Sequence, residues 1–176
     1  MKKLVLITWA LIVMPLSHAI DIKVQGTQDS YLTSKHEFNG FGCKGENLSP
    51  VLKISDLPKN TKSLAITLYD PDAPTGGGWW HWLAINIPVT KTELVLGDKS
   101  LKKLGILQTL NSYGSNSFGG PCPPKGDTPH RYIFTVYALK VKKLDLKEST
   151  TPNIVGYNLN ANTIVKATST LLYGRK

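Results

Sequence analysis

Acidic residues are scarce in this sequence. Twelve Asp and Glu stand against 21 Lys and Arg, a formal net charge of +9. A basic surplus invites an anionic partner, but the pattern a nucleic-acid-binding chain needs is missing. The positives are dispersed (Lys53, Lys59, Lys62, Lys91, Lys99), with small clusters at Lys102-Lys103, between Lys140 and Lys147, and at Arg175-Lys176. No block of about five or more like charges occurs, and no aromatic and basic stripe follows a strand of nucleic acid. Nucleic acid is therefore excluded as a partner, and the surplus describes a generally basic surface. After residue 19 no apolar stretch approaches the roughly 18 residues of a membrane-spanning helix, so stable membrane insertion is excluded as well. Internal repeats, low-complexity tracts and linkers are also lacking. Residues 20–176 are read as one domain, and a 41% hydrophobic content is enough for an ordinary core.

Cysteine is equally sparse, with only Cys43 and Cys122, neither of them in a CxxC pair. Their meaning depends on compartment, which the first residues address. Lys2-Lys3 precede an apolar stretch over residues 4–16, and Ser17-His18-Ala19 supplies small residues at a cleavage position. This is the pattern of a secretory signal peptide, too short to span a bilayer. Cleavage after Ala19 removes two Lys and no acid, leaving 19 − 12 = +7, and a bacterial periplasm is the expected destination. In an oxidising space an even cysteine count suggests one disulfide, closing a loop of about 80 residues. Two buried free thiols or a metal pair are the alternatives.

Residues 63–69 (SLAITLY), 82–87 (WLAINI) and 131–139 (RYIFTVYAL) read as strands, rich in β-branched and aromatic residues and bounded by Pro, Gly or Asp. Residues 22–25 and 51–54 are weaker strand candidates. Helical signals are few. Residues 158–172 place Leu159, Ile164, Ala167 and Leu171 on one helical face, and residues 101–107 suit a short helical turn. The long Gly-, Ser-, Asn- and Pro-rich connection over residues 90–129 is longer than ordinary loops, which points to function. Stapled at Cys122, it is expected to form a wall of a binding site.

Unusual residues concentrate in two stretches, 70–82 (DPDAPTGGGWWHW) and 119–132 (GGPCPPKGDTPHRY). In each, a proline-stiffened turn meets a core strand, so side chains there are held with little freedom left to lose. By strand alternation His81 shares a face with Leu83 and Ile85, and His130 shares one with Tyr132, Phe134 and Val136. If the two strands are neighbours, His81, His130 and Asp70 converge at one end of the sheet. Two imidazole donors and a Tyr hydroxyl then hold an anion such as phosphate, and the tryptophans supply flat walls. Asp72, Trp80 and Gly120 are placed at the rim or wall. Arg131 points away from His130 and is read as a structural ion-pair partner. His18 and His36 have no supporting context. A hydrolase using His81, His130 and Asp70 is the rival reading. It lacks a serine in a nucleophile elbow, since Ser115 and Ser117 lie in a Gly-rich loop. Two histidines and a carboxylate also form a metal ligand set, but no HExxH occurs and the prolines fit the walls of an anion pocket better. Neither a metal nor a cofactor is expected.

The two stretches together resemble the signatures of the phosphatidylethanolamine-binding protein family, and especially its bacterial, Raf-kinase-inhibitor-like branch. The Asp-Pro-Asp-Ala-Pro turn followed by Trp-His is present at Asp70-Pro71-Asp72-Ala73-Pro74 and Trp80-His81. The Pro-Pro-x-Gly element leading to His-Arg-Tyr is present at Pro123-Pro124-Lys125-Gly126 and His130-Arg131-Tyr132, and an early Asn-x-Ser-Pro turn at Asn47-Leu48-Ser49-Pro50. The resemblance extends over residues 38–167. It implies a mostly β fold, two antiparallel sheets in a sandwich with a few short helices. It also implies a small pocket in which Asp70, Pro74, His81, Pro123, Pro124, His130 and Tyr132 contact a phosphate-like group. Members act by binding phosphorylated headgroups or by inhibiting kinases or proteases, with no shared catalytic reaction. The partners so implied are a small anionic ligand and a protein target of unstated identity, and homodimerisation is left open.

Overall fold

The computed structural model describes residues 19–91 and 93–176. The expected signal peptide, apart from Ala19, lies outside the described residues. The chain is mostly β, with nine strands in three sheets and two helices among the described residues. In order these are β1 (Asp21–Gln25), β2 (Asn39–Gly40), β3 (Cys43–Lys44), β4 (Val51–Ser55), β5 (Ser63–Asp70), β6 (Trp79–Pro88), β7 (Leu94–Leu96), α1 (Asp98–Lys103), β8 (His130–Leu139), α2 (Pro152–Asn162) and β9 (Thr163–Tyr173). The sheets run β1-β4-β7, β2-β3 and β6-β5-β8-β9, and every strand pairing within them is antiparallel.

The larger two sheets face each other across the main core. Leu52, Ile54, Leu94 and Leu96 from one meet Ile66, Leu68, Trp82 and Phe134 from the other, all buried. The opposite face of the four-stranded sheet is covered too. Ala65, Leu83, Ile85 and Leu139 pack there against Val155 and Leu159 of α2 and against Leu144. A sheet covered on both faces has no solvent side to alternate toward, which is why SLAITLY reads as an unbroken apolar run. Among the described residues no helix is long and apolar enough to cross a membrane.

The helix expected over residues 158–172 is corrected. The helix covers Pro152–Asn162, with Pro152 at its first turn, and the chain then becomes a strand along β8 from Thr163. Thr163, Ile164, Val165, Thr168 and Thr170 are β-branched and stiff at χ1. They suit a pleated strand that alternates in exposure, and cross-strand packing on β8 outweighs a weak helical periodicity. The short helix expected at 101–107 sits a few residues earlier, at Asp98–Lys103, and β7 lies in the stretch read as irregular.

His36, without context in the sequence, is buried and bridges two loops. Its Nδ1 lies 2.8 Å from Leu48 O and its Nε2 3.0 Å from Gly26 O.

Candidate functional site

The four-stranded sheet ends in a cavity of about 210 Å³. Asp70 closes β5, and β6 and β8 flank that strand on either side. His81 and His130 therefore do not sit on neighbouring strands, as the sequence suggested. They meet across Asp70 instead. Asp70 Oδ2 is 2.9 Å from His130 Nδ1, and Asp70 Oδ1 accepts the Asp72 N–H at 2.8 Å. The second bond closes a turn in which an Asp side chain holds the backbone two residues on. All three residues of the cluster are buried. On its other edge the His130 ring presents Nε2 3.5 Å from Asp127 Oδ2.

Strict alternation would place His81 on the Leu83 and Ile85 face, away from Asp70. A β-bulge prevents this. Leu68 pairs with Trp82 and Tyr69 with Trp80, so His81 is the extra residue of β6. Bulges re-aim a side chain in this way, and His81 joins Tyr132, 5.2 Å away between ring centroids, on the cavity side. Behind the ring, Nδ1 donates to Gly119 O at 2.8 Å and lies 3.1 Å from Gly120 O. A carbonyl oxygen only accepts, so Nδ1 carries the hydrogen. Burial, partly offset by these carbonyls, lowers the His81 pKa from 6.5 to about 4, and the ring is neutral at physiological pH. The expectation of two imidazole donors is corrected here: neutral His81 offers a lone pair at Nε2.

Asp70, Pro74, His81, Pro123, Pro124, His130 and Tyr132 all line the cavity. Three residues expected at the rim or wall stand outside the lining. Asp72 turns outward and holds Arg131, accepting its backbone N–H at 2.8 Å and its guanidinium through Nη2 at 2.6 Å. Trp80 stacks on Tyr69, 4.5 Å between centroids, on the opposite face of the sheet, and Trp79 takes the cavity position. Gly120 lies behind His81. A Cβ there would come within 1.8 Å of His36 O, so only glycine brings this carbonyl up to the ring.

Trp79 lines the cavity as one of the tryptophan walls the sequence suggested, and Phe41, Ala73, Thr75 and Tyr113, which were not singled out, line it too. Tyr113 stacks on Phe38 at 4.1 Å and donates its hydroxyl to Gly120 O at 2.9 Å. The available signal was its place in the 90–129 connection, which does supply a wall. Cys122 lines the cavity as well and is joined to Cys43 in a disulfide. Burial first and the Asp70 charge second push the Tyr132 and Tyr113 phenols up, so both keep their protons. Three buried polar atoms of lining residues have no hydrogen-bond partner: Trp79 Nε1, His81 Nε2 and Tyr132 Oη. Orphans of this kind cost stability, and their collection at one opening marks a place where a ligand completes them. Among the described residues no three His, Cys, Asp or Glu are arranged to hold a metal ion.

The Asp72–Arg131 pair ties the turn to the start of β8 and so fixes His130. Hydrogen bonding to Arg131 lowers the Asp72 carboxyl from 3.8 to about 2. Its stabilisation is complete above pH 3.8 and is lost as pH falls through about 2. Because the pair is solvent-accessible, Asp72→Ala is expected to lower the melting temperature at pH 7 by at most about 3 °C. Thermal unfolding measures this, and a much larger drop would show that the turn depends on it.

Residues 27–174 match the phosphatidylethanolamine-binding protein family. The UPF0098 protein YbcL of Escherichia coli K12 is 51% identical over 146 residues, covering 81% of this chain and 80% of that protein. The UPF0098 protein YbhB of the same organism is 43% identical over 145 residues, covering 81% of this chain and 91% of that protein. The crystal structure of E. coli YbcL superposes with a TM-score of 0.82 at 48% identity, covering 89% of this chain and 99% of that one. A Chlamydia trachomatis homolog of phosphatidylethanolamine-binding protein does so at 0.73 and 28% identity, covering 91% and 100%. With strands, signatures and matched length in agreement, this chain belongs to the phosphatidylethanolamine-binding protein family, in its bacterial branch.

Proposed function

We propose that the protein is exported to the periplasm and that its cavity binds a small oxyanion: phosphate, a phosphorylated headgroup or a carboxylate. Bound there, the anion would let the protein modulate another protein, such as a kinase or protease. The observation that supports this best is the group of unpartnered buried atoms on Trp79, His81 and Tyr132 beside the His130–Asp70 pair. The His130 imidazole, the Trp79 indole and the Tyr132 hydroxyl are the hydrogen-bonding groups an oxyanion needs, and low local dielectric strengthens each bond. The remaining walls, Phe41, Pro74, Pro123 and Pro124, are apolar. They suit an organic group attached to the anion, in the usual manner of small-molecule sites. The disulfide fits an oxidising compartment.

For the hydrolase alternative, with His81 or His130 as general base, a side-chain nucleophile would have to come from the cavity lining. There the unpartnered Tyr132 hydroxyl is held protonated by burial. Thr75 Oγ1 donates to Gly78 O at 2.6 Å, Tyr113 donates to Gly120 O, and the Cys122 sulfur is in the disulfide. Binding is therefore the better reading.

Calorimetric titration with inorganic phosphate and with phosphoethanolamine tests it. His130→Asn keeps an amide N–H in place of Nδ1 toward Asp70 and deletes the Nε2 edge. Affinity for both probes is expected to fall about tenfold or more, the cost of one charge-assisted hydrogen bond. Unchanged affinity in the variant removes the anion pocket.

A further inference from the structure

The unpartnered atoms differ in what they ask of a ligand. Trp79 Nε1 donates only, and Tyr132 Oη keeps its proton. His81 Nε2 can only accept. Its ring does not turn over to present a donor, because Nδ1–H is held by the Gly119 and Gly120 carbonyls, and a flip would leave the Gly119 carbonyl without a partner. The groups packed round this ring do not supply the missing hydrogen. Asp70, from β5, is an acceptor whose oxygens already serve His130 and Asp72. His130, from β8, has Nδ1 on Asp70 and its Nε2 3.5 Å from Asp127 Oδ2. Tyr113 spends its hydroxyl on Gly120 O, and Tyr132 meets the ring edge-to-face. A fully ionised oxyanion would set its lone pairs against that of Nε2, whereas one that retains a hydroxyl would donate into it.

We propose, on the basis of the anion reading above, that the pocket selects its ligand by protonation state: it takes an oxyanion that still carries an O–H, which it donates to His81 Nε2. The ligand class is hydrogen phosphate or a singly protonated phosphate monoester. Sulfate and phosphodiesters carry no such hydroxyl at neutral pH and are bound more weakly. Burial supports this by keeping His81 neutral down to about pH 4, so protonating the ring to accept a bare anion is unfavourable at neutral pH.

Calorimetry of the oxidised protein at pH 7 with inorganic phosphate, sulfate and dimethyl phosphate provides the test. Sulfate matches the charge of the hydrogen phosphate dianion, and dimethyl phosphate matches that of the monoanion. Neither has a hydroxyl. Phosphate is expected to bind about tenfold or more tightly than either, as one hydrogen bond in a buried site implies. His81→Asn retains an N–H in place of Nδ1 for the Gly119 carbonyl and removes the acceptor, and the phosphate-to-sulfate ratio should approach one. Equal binding of phosphate and sulfate by the wild type, or an undiminished ratio in a folded His81→Asn, overturns this selectivity and leaves the anion pocket standing. No binding of either ion overturns both.

Discussion

Replacing Cys43 and Cys122 together by Ser is expected to lower the unfolding free energy by about 4.5 kcal/mol, the value the chain-entropy relation assigns to a loop of this length. The bridge spans 79 positions and encloses β4 to α1, so an unfolded chain freed of it gains many conformations. For a domain of this size the melting temperature should fall by about 9 to 18 °C. The native state has a second, non-covalent tie at the same place. Arg175 donates to Pro123 O at 3.2 Å and to Gly42 O at 2.9 Å, so the two segments stay near each other without the bridge. The loss should therefore appear as reduced stability of a folded protein. Urea unfolding of the oxidised protein and the double variant measures it, and a difference under about 1 kcal/mol would mean that the bridge does not act through the unfolded chain. Cys122 and Phe41 line the cavity, so the variant should also bind phosphate more weakly.

Where packing and sequence pattern agree, the fold was legible. β8 is β-branched and aromatic along most of its length, β5 is largely apolar, both carry punctuation at their ends, and the strand expectations match them closely. Asp70, His81 and His130 were legible as a group because stiff turns place each at a strand end. What escaped depended on contacts distant in sequence. β9 has a periodicity that a helix also satisfies, and pairing with β8 decides between them. The direction of His81 turns on one extra residue in β6, which only the register against β5 reveals. Trp79 and Trp80 are adjacent and chemically alike, so the choice between cavity and opposite face belongs to that same bulge. Tyr113 is fixed by Phe38, distant in the sequence, and by Gly120 across the same irregular loop. The charge state of His81 follows from two carbonyls and full burial, which no motif encodes.

That charge state has a measurable consequence. Lowering the pH from 6.5 to about 4 is expected to remove about 3 kcal/mol of stability through His81 alone. The unfolded side chain titrates near 6.5, while burial lowers the native value to about 4, and each unit of difference corresponds to about 1.4 kcal/mol. Below pH 6.5 the unfolded chain takes up a proton that the native protein refuses, so unfolding is favoured as the solution becomes more acidic. Below about pH 4 the native ring protonates too and the dependence ends. The Asp72 window lies lower, from 3.8 to about 2, so the two effects are separable. Other titrating groups cancel when the wild type is compared with His81→Asn. Urea midpoints for both proteins between pH 7 and pH 4 should converge, because only the wild type has this slope to lose. Parallel curves would mean that the native ring takes up its proton as readily as the unfolded one, and so becomes charged well above pH 4. Its Nε2 would then be a donor, and phosphate and sulfate would lose the difference by which the pocket is proposed to tell them apart.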